Sequence, residues 1–334
     1  MLARTAYVNH PSGISFETPL LVPSFSSKGF RTAGKSKSEL RFLVDYSREF
    51  IEESVLVSAL DLAYGFLPKP KELPHPSVTF IDSGGYEVSD DHDLPSVYRF
   101  PAPNLDWTQE KLEEQYSKWP KQYPAIFVSF DSPKQRSKIG RQAKQAADLL
   151  HKFPHQLGDF LIKPESASAS SIESCLEKIH AQPEILAPFS IVGVTEKDLG
   201  DRFSARLKNV VKLRKALDRV GVHAPIHVFG SLDPLSSCLY FLAGAEIFDG
   251  LTWLRYRYDR GVSTYLMSHG LLTLDLEARD QNVIAQAIAK NLSDLRDLKF
   301  QMKNYCRTGD IESFRFNREI LTKARDMIRN EGGE

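Results

Sequence analysis

The chain has 334 residues, 42% of them hydrophobic and 26% charged, with 43 basic residues balanced by 43 acidic ones. This composition excludes fibrous, disordered and strongly basic classes, so contact with a polyanion would have to come from one local basic face. The length exceeds that of a usual single core, but α/β barrels fill it as one domain.

Residues 1–50 read as a cap or elaboration, and residues 51–280 as the barrel core. Short apolar strands then alternate with amphipathic segments, which is the signature of repeated βα units around a parallel sheet. The strands are expected at Ser54–Leu60, Ser77–Asp82, Ala125–Asp131, Asp159–Lys163, Phe189–Val194, Ile226–Gly230 and Ala245–Leu251. Between them the pattern predicts helices over Trp107–Trp119, Lys134–Lys152 after Ser132-Pro133, Phe203–Val220 with a break at Arg214, and Asp233–Ala243. An eighth strand around Gly270–Leu274 would close a (β/α)8 TIM barrel, whose active site belongs at the C-terminal ends of the strands. An open doubly wound sheet is the alternative, but no Gly-x-Gly-x-x-Gly loop supports it. Residues 281–334 read as a helical region packed on the barrel, with a charged tail.

Cys175, Cys238 and Cys306 are too few and too scattered for a disulfide framework or a zinc knuckle, and the nine histidines make no metal motif. No apolar run reaches the length of a membrane span, and no charged segment precedes an apolar core at the N-terminus. A cytoplasmic protein with no membrane partner is therefore expected.

The most informative run is Phe80-Ile81-Asp82-Ser83-Gly84-Gly85-Tyr86-Glu87-Val88. An apolar strand ends there in a carboxylate, two glycines and an aromatic ring, which suits the grip on a flat base: the glycines admit it to the backbone, the ring stacks, and the carboxylate moves a proton. A second strand ends at Glu246-Ile247-Phe248-Asp249-Gly250, so Asp82 and Asp249 suggest a two-carboxylate site.

In ordered spacing, Thr18-Pro19, Val22-Pro23, Asp82-Ser83-Gly84-Gly85-Tyr86, Phe130-Asp131, Val192-Gly193-Val194-Thr195-Glu196, Phe229-Gly230 and Gly244 to Asp249 resemble the tRNA-guanine transglycosylase superfamily. The likeness extends over most of the chain. It implies a glycosyltransferase, more narrowly a pentosyltransferase, that exchanges guanine in a polynucleotide for a 7-deazaguanine. Asp249 would be the nucleophile and Asp82 the proton-handling carboxylate. Asp131 would read the base edge, Tyr86 and Phe229 would sandwich the base, and Gly84, Gly85, the backbone of Val192 and Gly193, Glu196 and Gly230 would line its pocket. Arg255 matches an arginine that holds the polynucleotide backbone. The run Trp253 to Arg260 interleaves Arg255, Arg257 and Arg260 with Tyr256 and Tyr258, a mixture suited to phosphates and exposed bases. Further positive charge is expected from Lys28, Arg31, Lys35 and Lys37, whereas Lys134, Arg136, Lys138, Arg141 and Lys144 read as a solvated helix face. Asp131 has a competing reading as a helix cap.

Two departures separate this chain from the tRNA enzymes. Their C-terminal zinc site is built from close cysteines and a histidine, and only Cys306 lies in that region, so no metal or other cofactor is expected. Their base-reading glutamine segment appears here as Ile162-Lys163-Pro164-Glu165. These changes favour the paralogous branch that acts on DNA, with flipping of the target nucleotide and a free base such as preQ0 or preQ1 as second substrate. The same exchange on tRNA, of queuosine or archaeosine type, is the first alternative. A non-catalytic nucleic-acid-binding subunit and a glycosidase on sugars or free nucleosides are the others. Protein partners or a homodimer are compatible with each.

Overall fold

A computed structural model describes residues 1–30, 39–89, 105–132, 136–166 and 171–332. Eight parallel strands close into a barrel: β3 (Leu20–Phe25), β4 (Ser54–Ser58), β5 (Val78–Asp82), β6 (Ala125–Val128), β7 (Leu157–Ile162), β8 (Ile191–Thr195), β9 (Ile226–Phe229) and β10 (Ile247–Gly250). Each strand pairs with its sequence neighbour, and β10 closes the ring on β3 with Asp249 opposite Val22. The fold is a TIM barrel of the α/β class.

The strands expected from Ser54 onward are present, but the eighth is a correction. Gly270–Leu274 falls in and just after helix α10 (Leu266–Thr273), and the missing strand comes from the segment expected to be a cap, as Leu20–Phe25. All six residues of β3 are buried. A strand covered on both faces shows no alternation and reads as an ordinary apolar stretch. The cap itself is the shorter hairpin β1 (Tyr7–Asn9) and β2 (Ser15–Glu17), which lays Val8 and Phe16 against the barrel interior. His10 ties it on through its Nε2, 3.1 Å from the Ala125 carbonyl.

Strand alternation divides the core in two. Leu20, Val22, Leu56, Phe80, Ile126, Val128, Leu161, Ile191 and Ile247 fill the barrel, while Val55, Ile81, Phe127, Phe160, Val192 and Phe248 pack outward on the helices. The helices are α1 (Glu39–Ser47), α2 (Ala59–Tyr64), α3 (Gly85–Val88), α4 (Gln109–Lys118), α5 (Ile139–Leu150), α6 (Glu173–Ala181), α7 (Phe203–Arg219), α8 (Pro234–Leu242), α9 (Thr252–Arg255), α10, α11 (Asp280–Thr308) and α12 (Arg318–Gly332). Capping explains two of the starts. Thr108 accepts from the Lys111 amide, and Asp233 accepts from the amides of Leu235 and Ser236 with Pro234 at the first helical position.

Arg214, a break in the apolar pattern of α7, is fully buried. Its Nη1 lies 3.2 Å from Glu246 Oε1, which also accepts from Arg4 at 2.8 Å. The Ile226 amide donates to Glu246 Oε2 at 2.7 Å, so this ion cluster links α7, the N-terminus, β9 and the entry to β10. No helix among the described residues is long and apolar enough to cross a membrane.

Candidate functional site

The C-terminal ends of the strands converge on one cavity of about 170 Å³, roughly tenfold what a single water requires. Ser24 and Ser26 come to it from β3 and its following turn, Asp82 from β5, Leu161 and Lys163 from β7, Thr195 and Glu196 from β8, Phe229 and Gly230 from β9, and Asp249 from β10. The two carboxylates expected to pair functionally thus line the same chamber, each under a tenth exposed.

Asp249 is held by three donors. The Ser24 hydroxyl donates to Oδ2 at 2.7 Å, and the Gly230 amide and His227 Nε2 each lie 3.2 Å from Oδ1. Gly230 has φ +79°, a left-handed conformation that favours glycine, so a residue expected in the pocket also aims a backbone donor at Asp249. His227 and its second partner Asp159 were not singled out by sequence reading. Both are fully buried, with His227 Nδ1 2.7 Å from Asp159 Oδ2. Burial disfavours a charged ring, but the carboxylates of Asp159 and Asp249 outweigh it and raise the His227 pKa to about 9. Burial pushes the Asp159 pKa up, and His227 counteracts the rise. Within the strand pattern only the polar position in Ile226-His227-Val228-Phe229 hints at the pair.

Asp82 meets a different environment. Among the described residues it accepts one hydrogen bond, from the Gly84 amide at 3.1 Å, and its charged neighbours are the carboxylates of Glu87, Asp131 and Asp249. Burial raises its pKa well above the usual carboxylate range, and Glu87, Asp131 and Asp249 add to the rise. Glu87 lines the cavity, accepts from Ser26 Oγ at 2.5 Å, and has its own pKa raised by burial. Asp61 lies behind it, wholly buried, accepting from the Ser27 amide at 2.6 Å. Glu87 stands inside the informative run, and Asp61 follows the end of β4; neither type nor spacing marked them.

Asp131 is a cavity residue rather than a cap. Helix α5 starts later, at Ile139, and Asp131 accepts from Ser83 Oγ at 3.0 Å while standing 3.6 Å from Arg136 and 3.8 Å from Lys163. The Gly85 Cα is so near that an added Cβ would lie 1.9 Å from Asp131 Oδ1. Lys163, at the position of the family's glutamine segment, is buried and pairs with Asp198 at 2.6 Å. Arg136 therefore turns into the cavity instead of joining a solvated face, while Lys138, Arg141 and Lys144 are exposed as expected.

Tyr86 and Phe229 both line the cavity. Lys28 Nζ donates to the Tyr86 carbonyl at 2.5 Å and sits 4.3 Å from the centre of its ring. Lys28 is consequently buried, not displayed to a polymer. Phe229 stacks on His227 with ring centres 3.8 Å apart. Glu196 lines the wall, accepting from the Tyr240 hydroxyl at 3.0 Å and standing 3.6 Å from Arg206.

Three expected pocket residues do not reach the cavity. Strand alternation turns Val192 outward into the helical layer. Gly193 faces inward but is covered by Phe229, whose ring would be 2.5 Å from an added Cβ. Gly84, at φ +83°, contributes its amide to Asp82 while its Cα faces Leu60 and Trp107.

The arginine and tyrosine run is divided. Arg255 is half-buried and donates to the Lys28 carbonyl at 2.9 Å. Arg257 and Tyr258, expected on a nucleic-acid surface, are buried. Arg257 Nη1 donates to Asp294 at 2.5 Å, and the Tyr258 hydroxyl donates to the Leu232 carbonyl at 2.8 Å. Strand β11 (Tyr256–Asp259) pairs with β12 (Val262–Tyr265), and both of its faces are covered: Arg257 turns onto α11, whereas the Tyr258 side chain turns the other way, toward Leu232 and Thr252. On α11 the fully buried Asn291 accepts from the Tyr258 amide at 2.8 Å and donates to the Trp253 and Tyr256 carbonyls. Arg260 is exposed at the hairpin tip and Tyr256 half-exposed. Arg31, Lys35, Lys37 and Lys134 lie outside the described residues. The three cysteines are free thiols, and among the described residues no three His, Cys, Asp or Glu side chains form a metal-holding group.

Comparison with known proteins finds no protein-family model that matches the chain and no similar curated protein.

Proposed function

We propose that this barrel is a nucleic-acid guanine transglycosylase that replaces guanine by a 7-deazaguanine through a covalent Asp249 intermediate, with DNA as the favoured polymer. The supporting observation is the unequal environment of two carboxylates in one ring-lined cavity. Asp249 is oriented by Ser24, Gly230 and His227, whereas burial and the neighbouring carboxylates raise the Asp82 pKa and so favour its protonated form. Carboxyl groups held in such different environments divide into acid and nucleophile.

The chemistry follows from those roles. An Asp249 oxygen bonds to C1′ as the C1′–N bond to guanine breaks. The bonding pair leaves on the base, which takes the proton from Asp82. A 7-deazaguanine then enters, gives its ring N–H proton to Asp82, and attacks C1′, releasing Asp249. Two displacements at one carbon retain its configuration. Tyr86 and Phe229 offer ring faces to the base, and Asp131 with Lys163 offers an acceptor and a cation to its edge. Lys163 in place of a glutamine removes an amide from that edge, which supports a base or polymer preference different from that of the tRNA enzymes.

The test is to incubate the protein with DNA or with tRNA and labelled guanine or a 7-deazaguanine such as preQ0 or preQ1. Label is expected in DNA, and denaturing gels should show a covalent protein–polymer species that Asp249→Asn abolishes. Label in tRNA alone would transfer the reading to tRNA. Incorporation into neither polymer would refute base exchange, and turnover of free nucleosides without polymer would point to a glycosidase.

A further inference from the structure

We propose that the buried Asp159–His227 pair is a positioning device for Asp249, holding Oδ1 as the future carbonyl oxygen of the glycosyl ester and leaving Oδ2 to attack the sugar. This role rests on the base-exchange reading above and extends it to residues that line no part of the cavity.

The geometry assigns different work to the two Asp249 oxygens. Oδ1 faces two N–H donors, the Gly230 amide and His227 Nε2, both at 3.2 Å. Among the described residues, Oδ2 is bonded by the Ser24 hydroxyl alone, at 2.7 Å. When Oδ2 bonds to C1′ and the C1′–N bond breaks, its negative charge is lost and Oδ1 becomes a carbonyl oxygen. The two N–H donors are already aimed at that atom, so no reorganisation is needed as the ester forms or is cleaved.

His227 is itself fixed from every side. Its Nδ1 lies 2.7 Å from Asp159 Oδ2, Phe80 meets it edge-on with ring centres 5.3 Å apart, and Phe229 stacks on it. Both nitrogens face carboxyl oxygens at hydrogen-bond distance, an arrangement that an imidazolium fits by donating from both. The charged side chains bonded to it are Asp159 on β7 and Asp249 on β10. On β8, Gly193 makes room for the arrangement, because a Cβ there would stand 2.8 Å from Asp159 Oδ1 and 2.5 Å from the Phe229 ring. Asp159 Oδ1 is buried with no hydrogen-bond partner among the described residues. A buried ion set with an unsatisfied oxygen is poor as a stabilising device, since apolar residues of similar volume commonly serve as well or better. Its geometry is matched instead to Asp249, and the Phe229 ring resting on His227 joins the base wall to the nucleophile's support.

The decisive measurements are single-turnover formation of the covalent adduct across pH and the protonation of the His227 ring. In the wild-type protein, nitrogen-15 spectra at pH 7.5 should show both His227 nitrogens protonated, and adduct formation should acquire a basic limb near the ring's pKa of about 9. Asp159→Asn, which keeps shape but removes charge, should slow adduct formation by about 100-fold. It should also move that limb to lower pH with the polymer KM unchanged. His227→Gln should retain part of the rate through its amide donor and lose the limb near 9, leaving only the fall set by deprotonation of Asp82, the acid of the same step. A neutral His227 ring in the wild type, or variants with wild-type rates and limbs, or losses confined to KM, would overturn the positioning role while leaving base exchange standing. Absence of any adduct from the wild-type protein with every polymer would overturn base exchange and this role together.

Discussion

Replacing Gly85 by alanine tests how closely the base wall is built. The new Cβ would stand 1.9 Å from Asp131 Oδ1, 2.7 Å from its Cγ and 2.7 Å from its main-chain oxygen. To restore ordinary contact the carboxylate must retreat by about 1.5 Å and the main chain by about 0.7 Å. A rotamer change alone does not suffice, because the main-chain oxygen is part of the clash. Moving Asp131 also disturbs its bond from Ser83 and its ion pairs with Arg136 and Lys163. Overpacking of this kind costs about 1–3 kcal/mol, and an ångström of misplacement at a reacting or reading group costs about 100-fold in rate. Urea unfolding of Gly85→Ala should show a lower midpoint at unchanged slope, and the exchange assay a loss of about 100-fold in kcat/KM. Gly140→Ala is the control, since Gly140 is exposed on α5 and an added Cβ there meets nothing within 4 Å. It should be neutral or stabilising by about 0.4–1 kcal/mol. Wild-type stability and wild-type exchange in Gly85→Ala would refute the claim that this glycine sets the position of Asp131.

Glu246→Ala should destabilise the fold by about 3–5 kcal/mol in chemical denaturation, because Arg214 and the Ile226 amide would be left buried without their partner. Arg257→Ala should lower stability by about 1.5–3 kcal/mol through loss of its bonds to Asp294 and Asn291, whereas Arg260→Ala should leave stability unchanged and reduce the salt slope of polymer binding by about 1. Fluorescence titrations at several salt concentrations distinguish the two; equal slopes in wild type and Arg260→Ala would remove the hairpin tip from the polymer surface. His227 has a folded pKa raised from 6.5 to about 9, so its contribution to stability is complete below about pH 6.5 and disappears as pH rises through about 9. The difference in unfolding free energy between wild type and His227→Gln should therefore shift against the wild type over that window, by at most about 3–4 kcal/mol. Burial of the Asp159 carboxylate offsets part of the gain. A difference independent of pH would show that the ring is not charged in the folded protein.

Order along the chain was enough to establish the βα repeat, the seven strands from Ser54 onward, the helical segment Asp233–Ala243, and the arrival of Asp82 and Asp249 at strand C-termini. These features are local: strand period, turn chemistry and the rule that barrel strands end at one rim carry them. The eighth strand was not legible, because Leu20–Phe25 is buried on both faces and becomes a strand only by pairing with β10 and β4. The Arg257 and Tyr258 side chains looked like surface because composition cannot say that both faces of a hairpin strand are covered; Asn291 and Asp294 on α11 take Arg257, and Leu232, 26 residues before Tyr258, takes the tyrosine hydroxyl. The same holds for His227 and Asp159, separated by 68 residues, whose meeting behind Asp249 requires the closed barrel. A short segment specifies which groups stand at a strand's end, whereas what those groups face, and so their charge state and chemistry, is decided by side chains that only tertiary closure brings near.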